Sequence, residues 1–144
     1  MTTMNDPTTI REFTTAGRAL LTLQSAKTGN RYTYQVTRAK DVGDRFFVSL
    51  LSGPNNTSDY VYIGTMDGTA FRTTKKSALT NDAQPVAAFR FLCERVLTNA
   101  APPASLGLEV RHEGRCGRCK RTLTVPESID RGIGPECMDK MFGN

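Results

Sequence analysis

The sequence predicts an α+β protein: an antiparallel β-meander packed by one helix, followed by a small cysteine-built module at the C-terminus. Three observations predict it. Apolar residues alternate in short runs separated by turn residues as far as Phe71, the pattern of half-buried strands. The period then changes, with Val86, Phe89, Cys93 and Val96 at helical spacing. Finally, the only histidine and three of the four cysteines fall between positions 112 and 137.

The elements follow in chain order. Residues 1–10 read as a flexible N-terminus and residues 11–98 as the α+β domain. Between Phe13 and Gln24, Ala19, Leu21 and Leu23 alternate with other residues, and residues 27–30 make a turn. Tyr32, Tyr34 and Val36 alternate in the next run. Residues 41–44 are a second turn, followed by RFFVSLL, apolar on both faces as a central strand should be. The breakers SGPNNTSD form a long loop over residues 52–59. YVYIGTM comes next, with Tyr60 and Tyr62 on the face opposite Val61 and Ile63, and then TAFRTT around Phe71. Asp82 is placed to cap the helix, Pro85 fits its first turn, and Leu92 widens the apolar stripe. Cys93 on that stripe reads as a small buried hydrophobe. NAAPPASLG marks a linker over residues 99–108, leading into a module at 109–144.

That module reads H-x3-C-x2-C-x17-C, formed by His112, Cys116, Cys119 and Cys137. Two thiolates separated by two residues can face one ion from a tight turn, and a third arrives from a distant segment. Four such ligands with no open position describe one structural zinc ion that builds a fold and performs no chemistry. For the fourth position, Asp139, a water molecule or a ligand from another chain compete with His112. A disulfide framework needs an oxidising compartment, and MTTMNDPTTIREF shows no basic-then-apolar signal pattern. A redox C-x-x-C is expected beside a βαβ pattern, which the sequence does not show. Gly117 inside CGRC suits a positive φ, while Gly132, Gly134 and Pro135 stiffen the approach to Cys137. Thr124 and Glu127 have capping-box spacing for a short helical turn through Ser128 and Ile129 that stops at Gly132. Leu123, Val125, Ile129, Ile133 and Met138 supply little core, so metal binding and local folding should be coupled.

The run C-x-x-C-x-R-x-L-T-x-P-x-S-I-x-x-G-I-G-P-x-C, from Cys116 through Arg121, Leu123, Thr124, Pro126, Ser128, Ile129 and Gly132 to Cys137, resembles a zinc-ribbon-like family of uncharacterised function from bacteriophage and actinobacterial proteins. The resemblance covers residues 112–140 and implies a metal site and a phage origin. GTMDGTAFRTTKKSALT and the helix after it also resemble the partner domain in phage versions of this architecture.

A net charge of +5 is spread unevenly. Residues 11–40 carry six Lys/Arg against one Glu, whereas residues 41–104 hold six charges of each sign. Arg111, Arg115, Arg118, Lys120 and Arg121 crowd the knuckle. Nothing resembles a membrane span, and the cytoplasm (of the host cell, for a phage protein) is the expected compartment. An enzyme is not expected: the sole histidine is assigned to the metal, and no nucleotide-binding, hydrolase or metalloprotease signature is present. The Glu113 beside His112 echoes zinc deaminases, but their P-C-x-x-C element is missing.

The expected role is nucleic-acid binding in phage DNA metabolism or regulation, with single-stranded DNA favoured. Arg115, Arg118, Lys120 and Arg121 would meet phosphates, while Tyr32 and Tyr34, beside Arg31, would stack on unpaired bases. TTKKS, residues 73–77, is a further phosphate-gripping candidate. The alternative is a protein-interaction module that docks on a host or phage protein, such as an inhibitor of host defence or transcription, with loop 52–59 as a contact. The oligomeric state is open, an edge strand being able to pair between chains.

Overall fold

In the computed structural model, residues 2–55 and 58–143 are described. They form one antiparallel sheet of seven strands with helices on one face and a cysteine-centred module at one end. The strands are β1 (Thr2–Met4), β2 (Arg18–Ser25), β3 (Arg31–Arg38), β4 (Arg45–Leu51), β5 (Tyr60–Asp67), β6 (Ala70–Arg72) and β7 (Leu108–His112). Their spatial order is β1-β7-β2-β3-β4-β5-β6. The meander from β2 to β6 follows the alternation in the sequence. Both edge strands are only three residues long, which limits edge-to-edge pairing.

Strand parity sorts the side chains. Ala19, Leu21, Leu23, Tyr34, Val36, Phe46, Val48, Leu50, Ile63 and Met66 are all buried in one core. Between β4 and β5 the register slips, since Val48 faces Gly64 but Ser49 faces Tyr62, leaving Ile63 as the extra residue of a bulge. Helix α1 (Pro7–Thr14) and helix α2 (Gln84–Phe91) close over this face with Ile10, Phe13, Val86 and Phe89 fully buried. Beyond Phe91 the helix widens into a π-helical stretch, Leu92–Thr98, that buries Leu92, Cys93, Val96 and Leu97 together. Cys93 is core, as its spacing indicates, with its sulfur 3.7 Å from that of Met66.

The structure corrects several sequence expectations. Residues 2–4 are a strand and Pro7–Thr14 a helix, not a flexible tail; Asp6 caps that helix by accepting a bond from the Thr8 amide at 3.2 Å. Two helices therefore pack on the sheet where one was expected. Residues 99–108 are no free linker either, because they hold a 3₁₀ turn (Pro103–Leu106) and run into β7 inside the sheet. Helix α2 starts after Ala83 without a side-chain cap, and Asp82 instead accepts a bond from Thr80 at 2.5 Å. Of the expected loop 52–59, residues 56 and 57 lie outside the described residues.

The largest correction concerns Tyr34. Its ring is fully buried, packs 4.9 Å from Phe89, and its hydroxyl donates to the Pro85 carbonyl at 2.7 Å. Tyr32 sits on the same face and donates to the Gln84 side chain at 3.0 Å. Both tyrosines fasten the start of α2 to β3, so neither offers a free ring to a base. Tyr34→Phe should lower the unfolding free energy by about 1 kcal/mol, because it strands the Pro85 carbonyl while keeping the packing. Denaturant unfolding checks this; an unchanged midpoint would mean the hydroxyl bond is not formed.

Candidate metal centre

Strand β7 ends at His112, and the knuckle begins four residues later. Arg115 and Thr122 form a bridge, the Cys116 amide donates to the Arg121 carbonyl at 2.9 Å, and the Lys120 amide to the Cys116 carbonyl at 2.9 Å. The chain closes this turn by putting Lys120, not Gly117, in the left-handed region at φ 65°. Gly117 is required for another reason. A Cβ there would lie 2.8 Å from the Phe13 ring and 2.9 Å from the Phe13 carbonyl. Against the same edge of that ring stands Gly132, the left-handed cap of helix α3 (Pro126–Arg131), where a Cβ would lie 2.5 Å from Phe13. Phe13, from α1, is thus a wedge on which knuckle and α3 both close. The cap of α3 differs from the expected box, for Val125 holds the N-cap position and no side chain bonds there.

Helix α4 (Pro135–Phe142) delivers Cys137 from its first turn. The sulfurs of Cys116, Cys119 and Cys137 lie within 4.8 Å of one another. A tetrahedral ion with sulfur ligands at about 2.3 Å needs sulfurs about 3.8 Å apart, so the three converge on a metal-sized position. The surroundings suit thiolates. Amides of Gly134 and Arg118 donate to the Cys116 sulfur at 3.3 and 3.4 Å, and the Arg118 guanidinium lies 3.8 Å from that of Cys137. Burial pushes the Cys116 thiol up, yet the amides of Gly134, Arg118 and Cys119 outweigh it and hold the thiol below its ordinary value. Cys137 is held above its ordinary value, first by burial and then by the neighbouring cysteines, against the pull of Arg118. Leu123, Ile133 and Ala16 pack around the cysteines in a small core separate from the main one. A cleft of about 370 Å³ opens beside the three sulfurs, lined also by Arg118, Arg121, Glu136 and Lys140.

His112 does not join them. Its side chain is fully buried, with Nε2 2.6 Å from the Ile129 carbonyl and Nδ1 accepting from the Gly114 amide at 2.9 Å. A carbonyl only accepts and an amide only donates, so the ring is neutral with its proton on Nε2. Both nitrogens are used in clamping α3 to the end of β7. Among the described residues no other His, Cys, Asp or Glu completes the cysteine trio. Of the four ligands expected from the sequence, the three cysteines cluster within metal-binding distance and His112 lies outside the cluster.

The cations lie as follows. Arg115 and Arg121 are exposed on the knuckle, Arg118 faces Cys137, and Lys120 is half-buried near Arg115 and Arg18. Burial, and then those two arginines, hold the Lys120 ammonium below its ordinary value. The Arg18 amide donates to the Gly117 carbonyl at 2.7 Å, which seats the knuckle against the start of β2. Of the cations named from the sequence around the knuckle, Arg111 pairs with Glu109 on β7, and Arg121 with Glu136 at 3.6 Å between exposed side chains. Arg31 is exposed on β3, apart from the knuckle cations. It lies on the face opposite Tyr32 and Tyr34, so the three do not form one site.

Two outcomes follow from this geometry. Cys116→Ser should reduce the metal-to-protein ratio measured by elemental analysis, whereas His112→Ala should keep the ratio and lower the unfolding free energy by about 1–3 kcal/mol. Loss of metal from His112→Ala with an intact fold would overturn the clamp assignment. The second outcome concerns pH. Burial holds the His112 pKa below its ordinary value, against the bond to Ile129. The unfolded chain therefore gains its proton first as pH falls through about 6.5, and stability declines below that pH until the folded-state pKa is passed. Urea midpoints measured between pH 8 and 5 on wild type and His112→Ala check this; the acid-side loss should be smaller in the variant.

Comparison with known proteins adds one finding. The model of a family of unknown function (DUF6011) matches residues 107–142, the stretch running from the start of β7 to the end of α4. Neither the curated proteins nor the solved structures yield a match to this chain. Among the described residues no helix is long and apolar enough to cross a membrane.

Proposed function

We propose that this chain is a small zinc-stapled nucleic-acid-binding protein of phage type, acting in the host cytoplasm on DNA metabolism or regulation. The three-thiol donor set favours a soft or borderline ion, and with these tight knuckle amides zinc is the natural occupant. With His112 engaged by backbone and no other described side chain joining the three sulfurs, a water molecule or a ligand from another chain is left to complete the coordination. The ion's role is structural: it holds a knuckle whose own apolar core is too small to fold alone.

One observation carries the nucleic-acid assignment. Arg18 and Arg115 stand beside Lys120 where the knuckle meets the start of β2, and Arg121 follows on the same turn, paired with Glu136. Bringing like charges together there is unfavourable, and a polyanion is the partner that relieves it. No histidine is left for general acid–base work, which supports a binding role over a catalytic one.

Anisotropy titrations of zinc-loaded protein with labelled single-stranded and duplex DNA, at low and near-physiological salt, test this. Binding should weaken steeply with salt. Replacing Arg115 and Arg121 by Gln should weaken it across sequences and reduce the salt slope by about one for each phosphate that the removed charges had neutralised. Flat titrations on both DNA forms at low salt would remove the proposal and turn the search to a protein partner.

A further inference from the structure

We infer that the helix-free face of the sheet is the binding track for the unpaired strand, with Phe47 and Tyr62 as its base-stacking platform. This rests on the nucleic-acid reading above and assigns it a site. The residues of this face follow from register. Phe47 pairs with Thr65 on one side and Thr37 on the other, Thr65 with Arg72, and Thr37 with Arg18. One row of side chains thus runs from Arg72 through Phe47 to Arg18, crossing five strands, or about 19 Å at the usual strand spacing. Tyr62, paired with Ser49, belongs to the next row on the same face.

Phe47 is 43 % exposed in mid-sheet, and its ring meets that of Tyr62 edge-on with centroids 6.3 Å apart. Neither ring belongs to the buried core. A large apolar ring at the centre of a strand is ordinarily covered, and here the helices lie on the other face. Such a ring pair offers π-faces to any base, which is how sheet-based binders hold unpaired strands without reading their sequence.

Charge at both ends of the row fits a phosphate chain. The TTKKS loop is tied to the platform, with the hydroxyls of Thr74 and Tyr62 3.0 Å apart and the Ala78 amide donating to the Tyr62 carbonyl at 2.8 Å. Lys75 and Lys76 at its tip are exposed and form none of the ion pairs found among the described residues. Arg72 shares Asp67 with Arg45, at 3.5 and 2.8 Å, leaving one positive charge over. At the far end Arg18 is exposed and bonded to the knuckle through its amide. The track therefore joins the lysine loop to the metal module, and an anionic strand with unstacked bases complements both its rings and its ends.

The test uses the zinc-loaded full chain and three labelled probes: oligo-dT and oligo-rU of about a dozen nucleotides, within the site sizes of single-strand binders, and a DNA duplex. Phe47→Ala should weaken binding of the single strands by roughly tenfold or more, and leave the duplex little changed. Phe47→Leu, which keeps apolar bulk without a π-face, should behave like Phe47→Ala. Lys75→Ala with Lys76→Ala should flatten the single-strand salt slope by about 1.4. A weakening with dT, rU or both supports the track, and the larger effect names the sugar preferred. Wild-type binding to single strands that both Phe47 variants retain in full would overturn the track while leaving the knuckle as a nucleic-acid site. Absence of any binding by the wild type would remove both.

Discussion

Strand β7 carries the weight of this architecture. It is the last strand in the chain, yet it lies inside the sheet, hydrogen-bonded to β1 on one side and β2 on the other. Two consequences follow. The N-terminal residues become an edge strand because β7 offers them a partner, and the knuckle starts from the sheet's interior instead of from a tether. A module with so small a core of its own gains orientation from this anchoring, as well as from any metal it binds.

Two side chains complete the anchoring, and neither is a metal ligand. Phe13 fills the space that Gly117 and Gly132 leave by lacking a Cβ, so α1, the knuckle and α3 meet on one ring. His112 packs against that ring, tilted 38° with centroids 5.5 Å apart, and bonds to backbone at both nitrogens. Burying an imidazole in this way is favourable only while it stays neutral and fully hydrogen-bonded. The same neutrality makes the joint sensitive to acid. Around the cysteines the amides point toward sulfur, so the backbone stabilises thiolate before any ion arrives.

The two sheet faces have opposite characters for one reason, the period-two alternation of strands. Tyr32 and Tyr34 share their face with Leu21, Val36 and Leu50, where helix α2 lands, and so they become core and helix anchors. Tyr62 is the counter-case. The bulge at Ile63 preserves its place opposite Ser49 while Ile63 itself turns into the core, and Tyr62 meets Phe47 on the helix-free side. Which aromatic residues are available to a partner depends on where the helices dock.

By itself the sequence determined the meander from β2 to β6, the apolar stripe of Val86, Phe89, Cys93 and Val96, and the convergence of Cys116, Cys119 and Cys137. Alternation, helical spacing and the C-x2-C pair are legible because they are local patterns, fixed within a few residues, and Cys137 is legible as a further thiol ligand in the same short module. Tertiary structure alone decided the rest. The strand at residues 2–4 forms only because β7 is there to pair with it, and three residues carry no period of their own. His112 has the spacing of a ligand, but Ile129 and Gly114 take both its nitrogens, a choice made by where α3 packs. Gly117 looks like a residue needed for a turn and is in fact needed for the approach of Phe13, more than a hundred positions away. Contacts between distant segments leave no periodic trace in a chain, and they set which face is covered and which residues remain free to bind.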